Sequence, residues 1–498
     1  MDDGGVGFYT RNVGLAEEKG LGLEMEREEQ LEPLSGVDAA WRHMEDPTNL
    51  MMVTGIMHLE GPLDREKLEQ VYKNGWLIYD RMRQHIVDMG IRKSPHWAYD
   101  KPFKLSDHLF FEDLPQPAGV PELRQRINTL ISTPLKMDRA LWEVHVFENF
   151  ESGPVLLLRI HHCIADGIAL IGVLLSLTGE TAEESLDLHL EPKTHKHYPQ
   201  LSTAGYLFRQ AGTALDTARK TTTTLINTTV KTLNKPSSLF NLAEMGRKGG
   251  ASLARLLFKA NDPKTIFKGP LGRSKVVAWS RIIPLEDVKR IRRHTGSTVN
   301  DVLLTALSGA LNRYLKWKNE PTDGLEISAA VPVNLRSAED AGELGNQFGL
   351  VFLTLPVGID DPLDRLFELK KRMDRLKNTP EAIIALGMLK TLGMAPAELQ
   401  KTIVNVLGAK ITTVMTNVPG PRAKFFLAGK QVRDMMFWVP CSGRASMGIS
   451  ILSYAGEVRL GLATDEGLIP DPQEIIERFY EEFDALMDLV HMVEESPE

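Results

Sequence analysis

The stretch Val155 to Gly179, VLLLRIHHCIADGIALIGVLLSLTG, is a long apolar run interrupted by Arg159, two adjacent histidines and an aspartate, and it constrains the fold more than any other segment. Val155 to Ile160 follows Gly153-Pro154 and is rich in leucine and β-branched residues, which predicts a buried strand. Ile168, Ile171, Leu174 and Leu175 then recur at helical spacing. His161-His162-Cys163-Ile164-Ala165-Asp166-Gly167 is therefore a strand-to-helix turn between two buried elements. Polar groups carried to such a place are costly unless each has a partner, so a functional site accounts for them better than accident does.

At 498 residues the chain is long enough for two or three domains, each with its own core. A content of 43% hydrophobic and 25% charged residues is that of a globular protein. No apolar stretch reaches the length of about 18 residues needed to span a bilayer without a charge. The opening carries Asp2, Asp3, Glu17, Glu18, Glu24, Glu26, Glu28 and Glu29 instead of a basic flank and apolar core, so it does not read as a signal peptide. Residues 1–32 are expected to be a disordered acidic lead. Two cysteines, Cys163 and Cys441, point to a reducing compartment and argue against a disulfide framework or a structural zinc site.

The net charge of −8 is unevenly placed. From Lys193 to Lys275 there are fifteen Lys or Arg against Asp216, Glu244 and Asp262, a local balance of +12 that leaves the remainder near −20. The segment lacks the interleaved aromatics that stack on bases, so an anionic membrane or lipid-droplet surface is the expected partner and nucleic acid is not. Leu253, Leu256 and Leu257 offer an apolar face for shallow insertion.

In chain order, Leu34-Ser35-Gly36-Val37-Asp38 opens a helix with Ser35 as cap, Met51 to Leu59 alternates as a strand, and Gly61-Pro62-Leu63-Asp64 starts a helix through about Trp76. Leu141 to Phe147 is a strand, followed by the motif strand and its helix. Residues 33–185 read as a first domain, 186–270 as a basic crossover and 271–492 as a second domain. The second half repeats the opening grammar: a strand over Val276 to Pro284, a helix over Leu285 to His294, and a long helix from Thr298-Val299-Asn300-Asp301 to Leu315. Strands are expected at Leu325 to Val331, Leu350 to Leu355, Thr412 to Thr416, Met447 to Tyr454 and Glu457 to Ala463, with a closing helix from Pro472 to about His491.

HHxxxDG is fairly specific, with a chance match in such a chain on the order of one in several hundred. The plainer alternatives are core histidines with Asp166 capping a helix, or a metal site; the second is weaker because adjacent histidines on a strand point to opposite faces. Thr298 with Asp301 three residues on has the form of a helix cap. Asn417-Val418-Pro419-Gly420-Pro421 reads as a rigid turn after a strand, with Asn417 its only hydrogen-bonding side chain.

These motifs, with Ala140-Leu141-Trp142 and the Leu34-Ser35-Gly36-Val37-Asp38 opening, resemble those of the wax ester synthase/acyl-CoA:diacylglycerol acyltransferase family. That family lies within the wider CoA-dependent acyltransferases, which include chloramphenicol acetyltransferase and peptide-synthetase condensation domains. The likeness runs in the right order from about residue 33 to 490. One departure is Ala140, where the family has a proline, which relaxes the backbone before the Trp142 strand and bears on the shape of the acyl pocket.

The resemblance implies an α/β fold of two chloramphenicol-acetyltransferase-like domains with mixed sheets and an interdomain active-site tunnel. It implies transfer of a long-chain acyl group from acyl-CoA to diacylglycerol or a fatty alcohol, by direct attack of the acceptor hydroxyl and without an acyl-enzyme. His162 would be the general base, a role suited to imidazole near neutral pH, and His161 would support it. Asp166 would be a structural anchor paired with an arginine, and Gly167 would allow a tight turn before the helix. Asn300, Asp301, Trp142 and Asn417 would line the substrate site, with Asn300 the oxyanion donor. Acyl-CoA would be a substrate, with no cofactor and no metal, in a cytoplasmic protein held peripherally at membranes or lipid inclusions. The rivals are a transferase acting on a non-lipid acceptor, a non-catalytic lipid-binding protein of the same fold, and a metal hydrolase.

Overall fold

A computed structural model of the chain describes residues 31–89, 95–187, 260–335, 344, 346–377, 385, 404–441 and 444–495. The expectations for the acidic lead up to residue 30 and for most of the basic crossover fall outside these residues.

The first half contributes α1 (Gly36–Met44), β1 (Met52–Leu59), α2 (Arg65–Val71), β2 (Leu109–Glu112), α3 (Val120–Ile131), β3 (Trp142–Phe147), β4 (Val155–His161) and α4 (Gly167–Ser176). Ser35 caps α1 by accepting from the Asp38 N–H at 3.2 Å. Asp64 caps α2, which runs into a π-helical turn over Tyr72–Trp76, so the helix expected through Trp76 changes geometry at its last five residues. Every residue of β3 and nearly every residue of β4 is buried, because both are interior strands covered on two faces. The second half contributes β5 (Lys275–Trp279), α5 (Leu285–Thr295), α6 (Val299–Trp317), β6 (Ile327–Asn334), β7 (Phe348–Leu355), α7 (Pro362–Lys377), β8 (Thr413–Pro419), β9 (Lys430–Trp438), β10 (Met447–Tyr454), β11 (Glu457–Asp465) and α8 (Pro472–Glu495). The strand expected over Val276 to Pro284 is two pieces, β5 and Ile283–Pro284, both paired with β11.

Two seven-stranded mixed sheets form the body of the molecule. The first runs β2-β3-β4-β1-β9, then Phe426–Leu427 and Thr178–Gly179; the second runs from Ile283–Pro284 through β11-β10-β8-β6-β7, with β5 also on β11. The division at residues 185 and 271 therefore needs correction, since β9, far down the second half, crosses back and pairs antiparallel with β1 from Val432↔Leu59 to Trp438↔Thr54. Asp434 on this strand bonds ionically to His58 at 3.4 Å and to Arg459 at 3.2 Å, so it ties the two sheets. The end of the lead also departs from expectation: Glu32–Pro33 pairs with His96 and Trp97, and Glu32 meets Arg81 at 2.5 Å.

Three residues of the basic stretch are internal ties. Lys275 is buried with its Nζ 2.7 Å from Asp465, and Lys268 donates to the Ala409 carbonyl at 3.2 Å. Asp262 accepts from the Ser328 N–H at 2.7 Å and the Thr412 hydroxyl at 2.8 Å. Two of the fifteen cations are thus committed to the fold.

Candidate active site

The turn after β4 sits where the two sheets meet. One core joins Trp41, Cys163, Ile164 and Ala165 of the first half to Phe348, Val418 and Leu452 of the second. The motif therefore lies against the second sheet at one end of its strands. Register shows which end: β6 finishes with Asn334 opposite Phe348, the start of β7, and β8 runs parallel to β6 from Ala329↔Thr413. The C-terminal end of β8, with Asn417, and the segment leading into β7 share that end.

His161 is fully buried. Its Nδ1 accepts the Cys163 N–H at 3.1 Å, so Nε2 carries the proton and donates to Glu45 Oε2 at 2.7 Å. Burial alone would raise the Glu45 carboxyl; the hydrogen bond from His161, with the Met51 N–H and the nearby Arg42 guanidinium, outweighs it and holds the group below its ordinary value. His162 points the other way and is half-buried. Its ring stacks on Trp41, with centroids 4.2 Å apart and planes 13° from parallel, and Phe348 approaches at 5.8 Å. Its Nδ1 lies 3.0 Å from Asn346 Oδ1. Burial lowers the His162 pKa; its own backbone carbonyl, Asp166 and Asn346 only partly offset that.

Asp166 caps α4 as an anchor of the motif. Oδ1 accepts the Ala169 N–H at 2.9 Å and Oδ2 the Gln347 N–H at 3.0 Å. One of these two backbone amides reaches the carboxylate across the sheet interface. Gly167 corrects the expectation of a tight turn: its φ is not positive, and an added Cβ would meet nothing within 4 Å. The glycine leaves space at the start of α4 and relieves no strain there.

Asn300 and Asn417 are brought together, Asn417 Nδ2 donating to Asn300 Oδ1 at 2.6 Å. Asp301 completes a reciprocal cap with Thr298, its Oδ2 accepting the Thr298 N–H at 2.8 Å, and is fully buried, with Oδ1 finding no hydrogen-bond partner among the described residues. Asn417, Val418 and Pro419 are the last residues of β8, paired with Ile451, Leu452 and Ser453 of β10, so the motif read as a turn is strand until Gly420. A Cβ at Gly420 would overlap the Ser453 carbonyl oxygen, which accounts for the glycine by close backbone approach. Trp142 is a core residue: it is fully buried, donates from Nε1 to the Met82 carbonyl at 2.8 Å, and stacks on His108 at 4.7 Å.

Sequence reasoning missed Asn346, Asp38 in its bonded role, Glu45 and Trp41. The one signal for Asn346 is the adjacent amide pair Asn346-Gln347 just before the apolar strand β7. A small cleft lies between the halves, lined by Thr48, Asn49 and Met52 from one and Arg273, Lys275 and Cys441 from the other. Met52 stands opposite His161 in the β1–β4 register, which puts the cleft beside the motif. Among the described residues no cluster of His, Cys, Asp and Glu has the arrangement to hold a metal ion.

Two mixed sheets, with one strand crossing between the halves and an HHxxxDG turn at their junction, make an α/β fold that condensation domains share. The chain belongs to the wax ester synthase/diacylglycerol acyltransferase family: residues 34–303 match its catalytic domain and residues 344–487 its C-terminal domain. It is 27% identical over 488 residues to a putative diacylglycerol O-acyltransferase of Mycobacterium tuberculosis, covering 94% of this chain and 92% of the relative. A probable diacylglycerol O-acyltransferase of the same organism is 25% identical over 454 residues, 89% of this chain and 93% of the relative. Among solved structures, the wax ester synthase/diacylglycerol acyltransferase from Marinobacter aquaeolei VT8 superposes with a TM-score of 0.63 at 18% identity, over 92% of this chain and all of that one. The first condensation domain of the calcium-dependent antibiotic synthetase gives 0.59 at 14% identity, over 92% of this chain and 97% of that one. The protein is an acyltransferase, and its fold is the α/β architecture of two mixed sheets expected from the sequence.

Proposed function

We propose that the protein transfers a long-chain acyl group from acyl-CoA to the hydroxyl of diacylglycerol or a long-chain alcohol, giving triacylglycerol or wax ester. His162 removes the proton from the acceptor hydroxyl as its oxygen attacks the thioester carbonyl carbon. The tetrahedral oxyanion collapses, the C–S bond breaks, and the proton on His162 passes to the departing CoA sulfur. Asn417 occupies the amide oxygen of Asn300, so the N–H pair of Asn300 is what remains to stabilise the oxyanion.

The observation that carries this reading is the placement of His162, a half-buried imidazole stacked on Trp41 at the junction of the halves, with a lowered pKa that keeps it neutral and able to accept a proton. Direct attack is supported by the state of the nearest alternative nucleophile. Cys163 is fully buried and burial pushes its thiol well up, with Asp38 and Glu45 adding to the effect, so it does not supply the thiolate an acyl-enzyme would need. A lipid acceptor requires a lipid surface. Among the described residues no helix is long and apolar enough to cross a membrane, and the basic stretch from residue 193 supplies the charge for peripheral attachment.

The test is labelled palmitoyl-CoA offered with diacylglycerol and with hexadecanol, the lipid products being separated. Label in triacylglycerol or wax ester is the expected result. Label released only as free fatty acid at the same rate with and without either acceptor contradicts it.

A further inference from the structure

The His162 ring has two nitrogens, and a neutral imidazole can act as base only through the one without hydrogen. Three contacts decide which that is. The Nδ2 group of Asn346 donates to Asp38 Oδ1 at 2.8 Å and to the backbone carbonyl of His162 at 2.8 Å. Both of its N–H bonds point at acceptors, so the Asn346 side chain is held with Oδ1 turned to the ring. That oxygen only accepts, and it lies 3.0 Å from Nδ1. The neutral ring must therefore carry its proton on Nδ1 and leave Nε2 bare.

Asp38 is itself fixed. It is buried on α1, and its Oδ2 accepts the Ser35 hydroxyl at 2.7 Å. Asn346 is buried too, and its neighbour Gln347 is pinned by the N–H bond to Asp166. The ring is thus gripped from the first half through Asp38 and from the segment that leads into β7 of the second half.

We propose that Asn346 is a positioning residue for the acyl transfer, anchored by Asp38, which holds His162 as the Nδ1–H tautomer across the interface between the two sheets. This rests on His162 being the base. Nε2 is held bare throughout the population only when the two halves are docked, so the base is set by the interface as well as by the HHxxxDG turn. Asn346 touches neither substrate nor the reacting atoms; it acts through the histidine.

The test uses the full-length protein and two readouts. Nitrogen-15 spectra of histidine-labelled protein report the tautomer of His162, assigned by its loss in His162→Ala. Steady-state kinetics with palmitoyl-CoA and the preferred acceptor separate kcat from KM. Asn346→Leu is expected to move His162 from the Nδ1–H tautomer to a mixture and to lower kcat by about ten- to a hundredfold, with little change in KM for either substrate. The exchange pair Asp38→Asn with Asn346→Asp restores an acceptor for Nδ1–H, anchored by the amide moved to position 38 though no longer bonded to the His162 carbonyl, and is expected to recover the tautomer and part of the lost kcat. It also answers the case in which Asn346→Leu fails to fold. A wild-type His162 found as the Nε2–H tautomer overturns the proposal, as does an Asn346→Leu protein with unchanged kcat. So does an exchange pair that folds yet recovers neither. Failure of the base reading looks different: His162→Ala would then keep its activity whatever the tautomer.

Discussion

His161 and His162 are neighbours in sequence with opposite duties. His161 is locked between the Cys163 N–H and Glu45, and the account gives it a supporting part. His161→Ala is expected to cost about 1–3 kcal/mol of stability, because it leaves the largely buried Glu45 carboxylate with only the longer bond from the Met51 N–H, and to lower activity less than loss of His162 does. Urea unfolding beside kcat measures both. For His162 the pH dependence has a definite sign. The base must be neutral, and burial lowers its pKa, so kcat should hold through neutral pH and fall on the acid side with a midpoint below the ordinary value of about 6.5. An acid limb centred at or above that value contradicts the buried setting. Asp166→Asn keeps only one acceptor oxygen for two backbone donors, Ala169 and Gln347. Activity and stability should fall together, by about 1–2 kcal/mol for the latter; lost activity at an unchanged melting temperature would place Asp166 in the chemistry.

At the scale of elements, two glycines should respond in opposite ways. Gly167→Ala adds a methyl where nothing lies within 4 Å, at the first residue of α4, and should leave the melting temperature unchanged or raise it. Gly420→Ala drives a Cβ into the Ser453 carbonyl and should destabilise by about 1–3 kcal/mol. A Gly420→Ala protein as stable as the unaltered one would contradict the close-approach reading, and a lowered melting temperature for Gly167→Ala would contradict the open-space reading. The same contrast shows what the sequence could and could not disclose. The motif strand, its helix, the α6 cap and the paired strands β10 and β11 were legible because hydrophobic periodicity and capping residues are local signals. β9 was not: Lys430 to Trp438 mixes Gln431, Arg433 and Asp434 with five apolar residues that do not alternate, and its role depends on β1, some 370 positions earlier by register (Trp438↔Thr54 to Val432↔Leu59). Asn346 was illegible for the same reason, since its meaning comes from Asp38 and His162, both distant in sequence. Gly420, in turn, is explained by a carbonyl on a neighbouring strand.

For the molecule as a whole, the strand exchange through β9 and the bonds from Gln347 to Asp166 and Asn346 to His162 make one site out of two sheets. The uneven charge suits work at an anionic surface, each engaged Lys or Arg contributing about 1 kcal/mol. Co-sedimentation with anionic liposomes should fall steeply with salt, and less protein should sediment when Arg247, Lys248, Arg255 and Lys259 are changed to Gln. If both proteins sediment alike at every salt concentration, this patch is not the anchor. Whether His162 is the base is decided by the rate of ester formation from acyl-CoA by His162→Ala and by the unaltered protein, at matched folding by circular dichroism. A loss of about 10²- to 10⁴-fold is expected of a positioned general base; equal rates would rule His162 out of that role.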